Sequence, residues 1–306
     1  MASKKILVTG VTGNQGGAVV RALIANPPPF DYKILAVTRN IRSAKAQALA
    51  AANERVELLE GDLNVPSMLF QNAGGVGAVW AVFSIQVPEM RKAGPENREQ
   101  KQGCNLIDAA IKYEVSHFVY SSVDRGGDAS EFNATDVAHF VTKYEIEKHL
   151  IQQTRRTNMT YTILRPVAFM ENLRPNQFGR TFATMWAGIG DKKLQLVSVK
   201  DIGVFAAQAF ATPETDEYKN QAVSLAGDEL TQKEANEVFW NVMGRPMPMS
   251  YEFLAALLQT MLPEIKTMFN WFKNVGYKAD IHHCKMLNTG MLDLGTYLKE
   301  ESGFKR

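Results

Sequence analysis

The sequence predicts an α/β fold: a doubly wound parallel sheet (the first domain) with a smaller, mainly helical second lobe. Three observations carry this expectation. An apolar run, Ile6-Leu7-Val8, ends at Gly10 and passes through Gly13, Gly16 and Gly17 into a helix-like segment. Short apolar strands then recur at regular spacing with helical segments between them, the pattern of βαβ units. After Pro166 the apolar stretches are shorter and more helical, punctuated at Gly188, Gly190, Pro213, Gly227, Gly244, Pro246, Pro248 and Pro263. The first domain is therefore placed over residues 1–165 and the second lobe over 166–306. Some later segments are expected to return to the main sheet, residues 222–226 foremost.

Taken in order, the first strand is 6–8. Pro27-Pro28-Pro29 closes the first crossover to helix, and the second strand follows at 33–37. A third strand covers 56–59, a loop Gly74-Gly75-Val76-Gly77, and a fourth strand 77–83. The next helix runs from Pro95 through Tyr113, with Leu106, Ile107, Ala109 and Ala110 on its apolar side. A strand over 117–122, a helix over about 135–155 and a strand over 161–165 complete the first domain. Right-handed crossovers align the strand ends on one rim, where such sheets bind ligands.

Composition narrows the function. The 306 residues carry 34 Lys+Arg against 32 Asp+Glu, a formal net charge of +2, so no polyanionic partner is implied. Basic blocks interleaved with aromatics are absent, which argues against nucleic-acid binding. No apolar run approaches membrane-spanning length, and the first strand begins too close to Met1 for a signal peptide; the expectation is a cytoplasmic protein. Cys104 and Cys284 lack metal spacing and read as free thiols. The adjacent His282 and His283 point different ways on a regular element, so no metal site is expected. Phe253, Leu254, Leu257, Leu258, Met261, Leu262, Met268, Phe269, Trp271 and Phe272 are dense enough to wall an apolar pocket, but ordinary core explains them better.

The glycine turn carries chemistry. Gly10-x-x-Gly13-x-x-Gly16 lets backbone N–H groups approach a pyrophosphate and sets it at a helix N-terminus, where the dipole favours negative charge. The second strand end says which dinucleotide. A site for NAD carries Asp or Glu there for the ribose 2′-hydroxyl. This chain has Thr38-Arg39, a guanidinium able to clamp a 2′-phosphate, with Arg42 and Lys45 adding field, so NADP(H) is the expected cofactor.

Gly-Val-Thr-Gly-Asn-Gln-Gly-Gly (10–17), Val-Thr-Arg-Asn (37–40), Glu-Gly-Asp-Leu (60–63), Tyr-Ser-Ser (120–122), His-Phe-x-x-Lys (139–143), Leu-Arg-Pro-x-x-Phe-Met-Glu-Asn (164–172) and Lys-Asp-Ile-Gly (200–203) together resemble the NmrA-like family. Its members are atypical short-chain dehydrogenases/reductases, some of them NADPH sensors and some reductases. The resemblance runs to about residue 240. It implies an extended Rossmann fold with NADP(H) across the strand ends. By that resemblance Gly10, Thr12, Gly13, Asn14, Gln15 and Gly16 hold the pyrophosphate, Arg39 the 2′-phosphate, and Asp62 with Leu63 edge the adenine.

Short-chain dehydrogenases use Tyr-x-x-x-Lys, in which the Lys lowers the pKa of the Tyr and holds the nicotinamide ribose. A literal match is present at Tyr144 and Lys148. In extended members the Lys is commonly followed four residues later by Glu, a register met by Lys143 and Glu147 that puts His139 where the Tyr belongs. NmrA-like relatives likewise lack the Tyr and keep a Lys. Lys143 is thus expected at the cofactor, His139 as proton donor or as structural imidazole, and Ser122 as a group orienting a carbonyl. Two functions stay open. One is an NADPH-dependent oxidoreductase acting on a carbonyl, quinone or activated alkene of a small apolar or aromatic substrate. The other is a non-enzymatic redox sensor working through a regulatory protein partner, with nuclear access. Oligomeric state is not legible.

Overall fold

The structure, a computed structural model, describes residues 3–89 and 97–305. Strands and helices alternate as β1 (Lys4–Val8), α1 (Asn14–Ala25), β2 (Tyr32–Thr38), α2 (Ala44–Ala52), β3 (Val56–Glu60), α3 (Pro66–Asn72), β4 (Ala81–Ser84), α4 (Arg98–Lys112), β5 (His117–Ser121), α5 (Ala138–Thr154) and β6 (Thr160–Pro166). There follow β7 (Ala168–Phe169), α6 (Gln177–Ala187), β8 (Leu194–Val197), α7 (Val199–Ala211), β9 (Gln221–Leu225) and β10 (Asp228–Leu230). The chain ends in α8 (Gln232–Met243), α9 (Glu252–Met261), α10 (Pro263–Asn274), α11 (Ile281–Leu287) and α12 (Leu294–Glu300).

The main sheet has seven strands in the order β3-β2-β1-β4-β5-β6-β9. The pairs from β3 to β6 are parallel. A strand covered on both faces must be apolar throughout. Ile6, Leu7 and Val8 accordingly have no solvent exposure, nor do Ala81, Val82 and Phe83. Strand order reverses between β1 and β4, the switch point at which doubly wound sheets bind ligands.

Two boundaries differ from expectation, and a third falls outside the described residues. The fourth strand starts at Ala81, not 77, because Gly77 adopts φ +73° and gives its N–H to Tyr113 O. The fifth helix starts at Ala138, beyond Thr135, which has φ +66°. Pro95, the expected start of the fourth helix, lies outside the described residues; α4 is described from its cap Asn97, whose side chain accepts the N–H of Gln100. The expected return to the sheet is β9, seated beside β6.

The chain divides into two compact units, and the division is more interleaved than one break at 165. The first comprises Met1–Ser122, Thr142–Arg165 and Ile202–Val223; the second, Val123–Val141, Pro166–Asp201 and Ser224–Arg306. Segment 202–223 belongs with the first unit because α7 packs on α1. A Cβ on Gly203 would stand 2.6 Å from Ala18 O, so only glycine permits that approach.

In the second unit β10-β8-β7 form a small sheet. Asp124, fully buried, ties its loops together by accepting from the N–H groups of Gly126, Gly127 and Lys278 and from the Ser224 hydroxyl. The apolar cluster splits in two. Phe269, Trp271 and Phe272 of α10 are buried, and Trp271 meets Phe140 edge-on at 5.3 Å. On α9, Phe253, Leu257 and Met261, spaced four apart on one helix face, are exposed, so core does not account for them.

Candidate functional site

The glycine turn lies at the switch point. Thr9 closes β1 against β4, its N–H on Phe83 O and its hydroxyl bonded to the backbone of Ile85. Gly10 then turns with φ +64°, and Gly13 N–H returns to Gly10 O at 2.9 Å. A Cβ on Gly16 would sit 2.3 Å from Thr9 O, so this glycine lets helix α1 start directly on the strand end. The N-cap of α1, Gly13, offers no side chain to the first-turn N–H groups, and no acidic residue sits in that turn. Thr12, Gly13 and Asn14 are exposed there while Gly16 is buried. An uncapped, acid-free helix start with an exposed glycine edge is what an anion requires.

Along the rim, Thr38 ends β2 beside β3, and Gly61 N–H bonds Thr38 O at 3.0 Å. Arg39, Arg42 and Lys45 are exposed and form no ion pair among the described residues. Asp62, half-buried, accepts the N–H of Asn64, and Leu63 packs on the core. At the end of β4 the buried Gln86 donates to Ser84 Oγ, while its Oε1 has no hydrogen-bond partner among the described residues. An orphaned acceptor next to an uncapped glycine turn fits a bound polar ligand on this rim.

Lys143 reaches the same rim. Its Nζ lies 3.1 Å from Ser121 O at the end of β5, and the Ser121 hydroxyl donates to Gln15 Oε1 at 2.5 Å. Lysine, strand end and glycine turn are thereby connected. Ser121, in the Tyr-Ser-Ser motif but given no role from sequence, makes these contacts; Ser122 is buried beside it with its N–H on Leu164 O. Behind Lys143 stands Glu99 of α4, with no solvent exposure and Oε1 3.2 Å from Nζ. One turn along α5, Glu147 receives Arg165 in a buried bidentate pair. Lys148 faces outward: its side chain is 45 % exposed and its ammonium lies over the Tyr144 ring.

His139 belongs to the second unit. Glu264, at the start of α10, binds both its backbone N–H and its Nδ1, the latter at 2.5 Å. Fixing Nδ1 leaves Nε2 as the nitrogen able to exchange a proton. Cys104 and Cys284 are free thiols, and burial pushes the Cys104 thiol up to about 11, away from the thiolate form. Among the described residues no group of three or more His, Cys, Asp or Glu could hold a metal, and no helix is long and apolar enough to cross a membrane.

Comparison with known proteins agrees with this architecture. An NAD(P)H azoreductase of Xenophilus azovorans is 30% identical over 79% of this chain and 75% of its own. The NADPH-dependent quinone oxidoreductase of Escherichia coli, solved with NADPH, superposes with a TM-score of 0.67 at 22% identity, covering 95% of this chain and 96% of that one. The negative transcriptional regulator NmrA, solved with NAD, gives a TM-score of 0.70 at 17% identity over 98% of this chain and 96% of that one. The sequence profile of the NmrA-like family matches residues 2–298. With its doubly wound sheet, its glycine turn at the switch point and that match over nearly the whole length, the chain belongs to the NmrA-like family.

Proposed function

We propose that this protein is an NADP(H)-dependent oxidoreductase that reduces a carbonyl, quinone or activated alkene on a small apolar or aromatic substrate. The observation that carries it is the connection from Gln15 through Ser121 to Lys143, which ties a buried lysine to the glycine turn. The turn, with Thr12 to Gly16, would hold the pyrophosphate, Arg39 the 2′-phosphate, and Asp62 with Leu63 the adenine edge. Lys143 would contact the nicotinamide ribose and the substrate oxygen. The bound cofactor supplies hydride; the chain must supply position and a proton. Ser122 orients the reacting group, and His139, four residues before Lys143 on α5 and held at Nδ1 by Glu264, is the donor expected from the family register. Relatives named azoreductase and quinone oxidoreductase support this reading. A cytoplasmic location goes with it.

The second reading is a redox sensor that engages a protein partner. Its support is His139 in the position of the usual tyrosine, together with the fold shared with a transcriptional regulator. NADPH oxidation against quinones, aldehydes, enones and azo dyes, with Lys143→Ala alongside, decides between them. Consumption by the parent chain that Lys143→Ala reduces upholds the enzyme. Tight cofactor binding with no consumption across the panel favours the sensor.

A further inference from the structure

Glu99 is the second residue of α4, and a carboxylate there gains from the helix dipole. It has no solvent exposure, and neither of its oxygens has a hydrogen-bond partner among the described residues. A buried carboxylate without donors is costly. What offsets it is the Lys143 ammonium at 3.2 Å. Lys143 in turn has Ser121 O at 3.1 Å and the Tyr120 ring at 5.6 Å, neither of which carries a negative charge. Among the described residues each ion is therefore the other's compensation, and the pair itself carries no net charge.

We propose, resting on the cofactor reading above, that Glu99 is the positioning residue for Lys143 and keeps the lysine's charge from biasing the protein toward either oxidation state of the dinucleotide. The nicotinamide ring carries a positive charge when oxidised and none when reduced. An uncompensated ammonium beside it disfavours the oxidised form, an uncompensated carboxylate favours it, and the intact pair does neither. A pair that merely anchors α4 to α5 changes both affinities together and leaves their ratio alone.

Calorimetric titration of NADP⁺ and NADPH, in neutral buffer of low ionic strength, tests this without reference to turnover. In Glu99→Gln the ratio Kd(NADP⁺)/Kd(NADPH) is expected to rise about tenfold. In Lys143→Met it should fall below the parent value. The double variant Glu99→Gln/Lys143→Met, which buries no charge at this position, should return close to the parent ratio. It carries the test with Lys143→Met if Glu99→Gln fails to fold. Ratios unmoved in every folded variant overturn the proposal and leave the cofactor reading standing. A parent chain that binds neither dinucleotide overturns both.

Discussion

Arg165 at the end of β6 grips Glu147 on α5 with its Nη2 2.7 Å from Oε2 and its Nε 3.2 Å from both oxygens. That fork fixes the rotation of α5 about its axis. Lys143, one turn earlier on the same face, is thereby presented to Ser121, and Lys148 is turned to solvent.

Removing one partner of this buried pair should be severe. Glu147→Ala or Arg165→Met is expected to cost about 3–5 kcal/mol, because the survivor is left as an uncompensated buried charge. Lys148→Ala should stay within about 0.5 kcal/mol of the parent, as exposed substitutions do. Urea unfolding curves of the three variants check this. An equal effect at Lys148 would mean that α5 is rotated from the register described.

Cofactor choice follows from Arg39. The protein should bind NADPH or NADP⁺ at least about tenfold more tightly than NADH or NAD⁺, a difference of about 1.4 kcal/mol. Arg39→Ala should remove most of that preference without lowering stability, since the side chain is exposed and makes no ion pair among the described residues. Equal calorimetric affinities in the parent chain would take Arg39 out of this role.

The two central glycines should fail differently. Gly16→Val places its Cβ 2.3 Å from Thr9 O and should prevent the turn itself from forming, with loss of the fold. Gly13 is exposed, and a Cβ there meets Gly10 O at 3.2 Å, a contact relieved by a few tenths of an ångström. Gly13→Val should therefore fold yet lose stabilisation by added dinucleotide, read by thermal denaturation with and without NADPH. Cofactor-dependent stabilisation retained in folded Gly13→Val would move the site away from this turn.

Acid stability should reflect two buried groups acting in opposite directions. Burial holds His117 down from 6.5 to about 4, so below pH 6.5 the unfolded chain takes a proton that the folded chain refuses until about pH 4. Stability is lost across that window, by about 3 kcal/mol when complete. Burial raises Asp201 from 3.8 to about 6, so the folded chain takes this proton first and gains stability as pH falls through the same range. His117→Gln should flatten the acid decline and Asp201→Asn should steepen it, in unfolding free energies measured at about pH 7, 5.5 and 4. Identical pH profiles in parent and variants would contradict both assignments.

The parts legible from sequence were those in which local pattern and tertiary role coincide. The β1 turn is one, since apolar run, glycine spacing and helix start all lie within a dozen residues. The face shared by Lys143 and Glu147 is another, because helical period fixes it. The role of Ser121 went unread because it depends on which of two adjacent serines meets Gln15, and neighbouring strand residues differ only in the direction they face. Glu99 carries no local mark of burial; its partner lies 44 residues away on another helix. Glu264 is similarly remote from His139, 125 residues along the chain. Gly77 reads both as the end of a glycine loop and as the start of an apolar run, and its positive φ assigns it to the loop.

The close passage of Gly203 over Ala18 limits how this protein can be cut. A fragment ending at residue 165 keeps every strand from β1 to β5 and the glycine turn, yet it strips α1 of the helix packed on its outer side and leaves β6 without β9. An open strand edge is a template for pairing with other copies. Such a truncation would aggregate instead of behaving as a minimal nucleotide-binding half, and a fragment meant to isolate the first unit must carry residues 202–223 as well.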